Sequence, residues 1–207
     1  IGCNVDCTFC ATASMGLIRN LLAGEIIDQA IAIRDLVKQP ITNVVFMGMG
    51  EPFLNYDRVL DAADILHSHD GFGLGAKRIT ISTAGIVPKI DRFIKENRKY
   101  KLAISLNATQ NDTRQQLMPL NRNWPIEDII RSASVFAARK NHNIMFEYVL
   151  LKDINDTPDD AKRLKHDSTL TAFAQLGAFR LDCRSGNAGA RCASDRQWGA
   201  PNSARVA

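Results

Sequence analysis

Apolar residues recur at helical spacing through Ile26, Ile27, Ala30, Ile31, Ile33, Leu36 and Val37, and Pro40 stops the run, so the pattern predicts a helix over residues 24–38. Residues 43–47 follow as a short apolar stretch rich in branched side chains that ends at Gly48 and Gly50, and read as a buried strand running into a loop. The same unit then repeats. Helical spacing covers 56–68, 87–97 and 125–140, while strand patterns cover 78–83, 102–106 and 144–151. Thr157, Pro158 and Asp159 form one more helix start. Strands that alternate with helices at this spacing imply parallel pairing through right-handed crossovers, with functional loops at the carboxyl ends of the strands. The fold class is therefore α/β: a parallel curved sheet with outer helices, part of a β/α barrel or an open sheet of the same kind.

After about Lys165 the pattern lapses. Residues 167–175 show no clear period, and 177–207 are dominated by Ala, Gly, Arg and Ser without a strand pattern. Residues 1–165 are accordingly read as one core that lacks its first and last strands. Residues 166–207 are read as an irregular tail, either disordered or encoded by a shifted reading frame. The chain opens directly on IGCNVDC, with no element ahead of it to anchor a metal loop, and a truncated amino terminus is expected.

Composition narrows the class. A chain of 207 residues, 45% hydrophobic and 23% charged, buries one core of ordinary size. No apolar run approaches the roughly 20 residues of a membrane span, and the first residues do not form a signal peptide, so a cytoplasmic protein with no membrane contact is expected. Of the five cysteines, three lie within the first ten residues, a packing that suits a metal cluster in a reducing compartment better than a disulfide framework. The net charge of +4 permits contact with RNA phosphates, yet the basic residues Lys77, Arg78, Lys89, Arg92, Lys95, Arg98, Lys99 and Lys101 are interrupted by Asp91 and Glu96. A solvated helix face is the better reading of most of them.

CNVDCTFC places Cys3, Cys7 and Cys10 within eight residues, so one loop can wrap a cluster and leave one metal corner without a protein ligand. Structural zinc wants four ligands, typically two separated pairs, and the spacing recommends none of His67, His69 or His142 as the fourth. Iron-sulfur is therefore preferred over zinc. GMGEP, residues 48–52, follows the first strand: Gly48 and Gly50 let backbone approach a ligand closely, and Glu51 offers a carboxylate to a cationic amine. Two more strands end in polar groups, Ser82 with Thr83 and Ser105 with Leu106 and Asn107. These side chains either bond the ribose or carboxylate of a nucleoside ligand or cap the next turn, and spacing alone leaves both open.

The spacing C-x3-C-x2-C, with Phe9 just before the last cysteine, is the signature of the radical S-adenosylmethionine superfamily. Within it the chain resembles RlmN-type RNA adenine C2 methyltransferases. The stretches MGLIRNLLAGEI, VVFMGMGEPFLNYD, RITISTAGIVP, LAISLNAT, LMPLNRNWP and FEYVLLKDINDTPDDA occur in the family's order across residues 1–163. The resemblance implies a partial radical SAM barrel and a 4Fe-4S cluster on Cys3, Cys7 and Cys10. It implies S-adenosylmethionine bound at the open iron through its amino and carboxylate groups. Gly50 and Glu51 would stand at the methionyl ammonium, with Ser82, Ser105, Leu106 and Asn107 as further contacts; Asn107 stands where histidine is commoner. Phe9 would pack near the adenine or simply in the core.

The implied activity is methylation of adenine C2 in 23S rRNA and tRNA by a monomer served by a low-potential electron donor such as flavodoxin or ferredoxin. In the family one cofactor molecule methylates a cysteine and a second abstracts hydrogen from that methyl group. Here the NLIPFNP-like stretch, the methyl-carrying cysteine and the acidic base have no match, and the surroundings of Cys183 and Cys192 do not fit. No catalytic residue is assigned, and the expectation is that this chain does not complete methyl transfer. Two other readings remain: the sister activity at adenine C8, and a non-catalytic metal-binding or RNA-binding remnant.

Overall fold

The computed structural model describes residues 1–139, 144–166 and 174–181. In chain order the elements are α1 (Ala23–Val37), β1 (Val44–Phe46), α2 (Tyr56–His67), β2 (Ile79–Thr83), α3 (Val87–Lys95), β3 (Lys101–Ser105), α4 (Asn111–Leu117), α5 (Ile126–Ala137), β4 (Ile144–Leu151), α6 (Pro158–His166) and β5 (Ala174–Leu181). The five strands form one sheet in the order β1-β2-β3-β4-β5, every neighbour parallel. Sequential order with a helix between neighbours is what right-handed crossovers on one face produce. The α/β expectation holds, with strand and helix ends within a few residues of those the periodicity predicts.

Register decides which side chains share a face. Val44 pairs with Ile79, Phe46 with Ile81, Ile81 with Leu102, and Leu102 with Ile144, so the apolar positions of adjacent strands line up. Side chains alternate along a strand, and this set forms one face. It meets Ile90 and Phe93 of α3, Ile129 and Phe136 of α5, and Val59, Leu60 and Ala63 of α2 in a single apolar core. Phe93 sits at its centre, with ring centroids 5.9 Å from Phe53 and 6.0 Å from Phe136. The helix α1 contributes less than its stripe predicts: Ile27 is buried, but Ile33, Leu36 and Val37 are exposed. A cavity of about 480 Å³ lies between α1, β1 and the first residues of the chain.

Two elements depart from the sequence reading. The seven-residue helix α4 has only Arg114 and Leu117 buried, so it carries no apolar stripe to be read. Strand β5 falls inside the segment assigned to an irregular tail, and that assignment is corrected for residues 174–181. The stretch AQLGAFRL does not alternate, but β4 offers an eight-residue edge of unpaired backbone groups and all eight residues of β5 pair with it. Pairing partner, rather than local pattern, makes this strand. Residues 182–207 lie outside the described residues.

Candidate functional site

The cysteine loop lies across the carboxyl ends of the strands. Thr8 N donates to Leu117 O at 2.9 Å, tying the loop to the end of α4. Val5 is buried with Ala84, Leu117, Met118 and Leu151, and Cys3, Cys7 and Phe9 pack against this second apolar cluster. Phe9 is thus a packing residue of the loop. Cys3 N donates to Gly16 O at 3.0 Å, closing the loop on itself, and Cys10 N donates to Cys7 O at 3.1 Å. Gly2, at φ +82°, is required there, since a Cβ would stand 1.8 Å from Gly16 O. The loop's exit is held by Asn55, whose Nδ2 donates to Leu21 O at 2.8 Å.

The three thiols are half-buried and free. Burial pushes the Cys7 thiol up to about 12, with the neighbouring Cys10 and Cys3 adding to the rise and Arg114 opposing it. Burial also raises Cys3, again with Cys10 contributing. Cys3 and Cys7, raised in this way beside Cys10, suit a site filled by cationic charge, because metal binding displaces thiol protons. Among the described residues no three His, Cys, Asp or Glu side chains converge on one point as a single metal ion requires. A 4Fe-4S cluster makes a different demand, one thiolate on each of several irons, and three cysteines carried on one loop would suit it. Neither His67 nor His69 completes a zinc site: the ring of His67 hydrogen-bonds Leu74 O at 2.7 Å, and His69 is fully exposed beside Asp70. His142 lies outside the described residues.

The glycine loop is pressed against the cysteine loop. Gly50 has φ +91°, and a Cβ on it would come within 3.1 Å of Gly2 O, so glycine there permits the approach. Glu51 is buried, 9% exposed, and its carboxylate is already engaged: Oε1 accepts from Phe53 N at 2.9 Å and Oε2 from Ala84 N at 2.6 Å. Burial raises its pKa, against the hydrogen bonds from Ala84, Phe53 and Thr83. Glu51 therefore clamps the glycine loop to the end of β2, and only its remaining lone pairs are open to an ammonium.

Of the polar strand ends, Ser82 and Ser105 point to one place. Both hydroxyls donate to Glu147 Oε2, at 2.9 and 3.2 Å. Leu106 and Asn107 are placed otherwise. Leu106 is 1% exposed, and its carbonyl accepts from Arg114 Nε at 3.0 Å. Asn107 takes a left-handed φ of 57°; its Oδ1 accepts from Val149 N at 2.9 Å and its Nδ2 lies 3.4 Å from Met118 Sδ. The Asn107 amide thus fastens β3 to β4, helped by the buried Asn155, whose Nδ2 donates to Asn107 O at 2.8 Å.

Three residues that matter here are given no role by the sequence reading. Arg114 is fully buried and donates to the carbonyls of Ala84 (2.6 Å), Ser105 (3.3 Å) and Leu106, and to Asn121 Oδ1 (2.9 Å). Burial lowers its pKa to about 10, with Cys7 opposing. Nothing in the polar stretch NDTRQQL marks it. Asn155 likewise looks like an ordinary turn residue. Glu147 does carry a signal, a lone carboxylate in an otherwise apolar strand. Of the basic run, Arg92 pairs with Asp57 and Glu96, and Arg98 with Glu96 and Asp64, as a solvated ion-paired face does.

Comparison with known proteins agrees with this geometry. Over 167 residues the chain is 47% identical to a protein of Dictyoglomus turgidum named a probable dual-specificity RNA methyltransferase RlmN, covering 79% of this chain and 48% of the relative. A dual-specificity RNA methyltransferase RlmN of Anaeromyxobacter dehalogenans is 45% identical over 172 residues, covering 79% and 46%. The chain thus spans about half the length of the curated relatives it matches. The crystal structure of a radical SAM methyltransferase from Sphaerobacter thermophilus superimposes with a TM-score of 0.80 at 41% identity, over 86% of this chain and 53% of that one. The family model of the Radical SAM superfamily matches residues 1–164, and the chain, with its cysteine loop over the carboxyl ends of a parallel sheet, belongs to that superfamily.

Proposed function

We propose that residues 1–165 are the catalytic core of an RNA adenine methyltransferase of the RlmN kind, acting at C2 of adenine in 23S rRNA and tRNA. One observation carries the reading: the cysteine loop, the glycine loop and the Ser82 and Ser105 hydroxyls meet at one end of a single parallel sheet. The cofactors are a 4Fe-4S cluster and S-adenosylmethionine. Cys3, Cys7 and Cys10 would hold the cluster, which when bound supplies an electron to the sulfonium and so opens radical chemistry. The chain's own contribution is position. Gly50 admits the ligand beside the cysteine loop, Glu51 holds the glycine loop to the end of β2 and turns its spare lone pairs to an ammonium, and Ser82 and Ser105 stand below for the nucleoside half. Asn107 and Arg114 keep the strand ends in register. The substrate assignment leans on the relatives' names, and a low-potential donor such as flavodoxin or ferredoxin, a monomeric state and a cytoplasmic setting go with it.

Anaerobic reconstitution tests the core of this reading. The expected result is iron and sulfide incorporation, a spectral change on adding S-adenosylmethionine, and dithionite-dependent release of 5′-deoxyadenosine and methionine. A colourless zinc-loaded protein would overturn it. Following a radiolabelled methyl group into 23S rRNA tests the substrate: label at adenine C2 supports the assignment and refutes the expectation of an inert chain, whereas label at C8 moves the protein to the sister activity.

A further inference from the structure

Glu147 is a buried carboxylate, 8% exposed, in the middle of β4. It is the register partner of Ser105, and Ser82 lies on the next strand but one, beside Ala103. Its Oε2 receives both serine hydroxyls, from positions 65 and 42 residues away in sequence. No lysine or arginine pairs with it among the described residues. Two neutral hydroxyls are meagre compensation for a desolvated carboxylate, so the arrangement is costly for the fold alone. It has a consequence for any ligand. A serine hydroxyl owns one proton, and both serines donate theirs to the Glu147 carboxylate oxygen. Each serine then faces the site with lone pairs only.

We infer that Glu147 is a positioning residue for the nucleoside half of the cofactor, holding Ser82 and Ser105 as acceptors for the ribose hydroxyl protons. The inference rests on the reading of Ser82 and Ser105 as cofactor contacts, and it sharpens that reading. Serines that have spent their protons on Glu147 do not serve a ligand carboxylate, which needs donors. With the methionyl amino and carboxylate groups committed at the cluster, the sugar hydroxyls are the donors left to meet two hydroxyl acceptors. Glu147 acts through the serines; one anionic oxygen polarises two hydroxyls and makes both better acceptors.

The test uses the reconstituted full chain with two probes, S-adenosylmethionine and its 2′,3′-dideoxy analogue, measured by equilibrium dialysis alongside iron content. Glu147→Leu is expected to weaken binding of the parent cofactor by about tenfold, the worth of roughly one hydrogen bond. Binding of the dideoxy analogue, which brings no ribose protons, is expected to stay within about twofold of the unsubstituted chain, because it has no such bond to lose. Glu147→Gln keeps shape and an acceptor oxygen without the charge, and is expected to fall between. Should the leucine variant fail to fold, the glutamine variant alone still separates the probes. Equal losses for both ligands, or none for either, overturn the Glu147 role while leaving the site reading intact. Failure of the unsubstituted chain to bind S-adenosylmethionine overturns the site reading, and the Glu147 role with it.

Discussion

On the helix-covered face of the sheet stand Ile79, Ile81, Leu102, Ile104 and Phe146, each fully buried in one apolar core. At the alternate positions of the same strands stand Thr80, Ser82, Ser105 and Glu147, a row of hydroxyls ending on a carboxylate. The period of two along a strand thus lets five-residue strands do two jobs. Burial on one face provides stability, and the polar row on the other is free to be selected for chemistry. The difference teaches where a substitution should show: on the first face in the unfolding transition, on the second in ligand binding.

The cysteine loop gives the largest separation. Alanine at Cys3, Cys7 or Cys10 is expected to abolish cluster assembly, measured as iron and sulfide per chain, while the far-ultraviolet circular dichroism of the sheet and helices is unchanged. Retention of the cluster in any of the three variants would refute the ligand assignment. Next in size comes a pair of neighbours on opposite faces. Ile81→Ala should cost about 2–5 kcal/mol in denaturant unfolding by opening a cavity in the core. Ser82→Ala should cost about 1 kcal/mol, the net worth of one hydrogen bond, and weaken cofactor binding instead. If the two variants unfold alike and bind alike, the division between the faces is wrong.

Arg114 tests the boundary between the faces, since it joins the ends of β2 and β3 from α4. Arg114→Met removes donors from several buried carbonyls, and an orphaned buried acceptor costs about 1–3 kcal/mol. Both the unfolding midpoint and cluster retention should therefore fall together, which neither face alone would show. The smallest effect is on acid stability. Burial pushes the Asp160 carboxyl up, but hydrogen bonds from Thr109, Thr157 and Arg163 outweigh it and hold the pKa at about 2, below its ordinary 3.8. A depressed carboxylate contributes stability above its unfolded pKa and loses it as pH falls through the folded one. Thermal unfolding of Asp160→Asn should therefore lie below that of the unsubstituted chain at pH 5 and converge with it near pH 2.

Legibility differs by region for physical reasons. The strands from 44 to 151 and the helices α1, α2, α3 and α5 carry apolar residues at their own period, so each can be read within a window of a dozen residues. Cys3, Cys7, Cys10 and the GMGEP loop are legible because their chemistry is local, a set of donors at short spacing. Helix α4 and strand β5 are not, since one is held by a buried arginine and the other by the edge of β4. Leu106 and Asn107 are legible as a motif, but the hydrogen bonds that make them braces between strands come from Arg114, Val149 and Asn155.

By itself the sequence determined the β/α alternation and the short spacing of three cysteines on one loop, because periodicity and short-range spacing are properties of neighbouring residues. Only the tertiary structure decided that the glycine loop touches the cysteine loop, that Glu51 is a clamp, and that Ser82 and Ser105 share one oxygen of Glu147. Those contacts join residues tens of positions apart, and parallel register, which no local pattern encodes, is what brings them within a hydrogen bond.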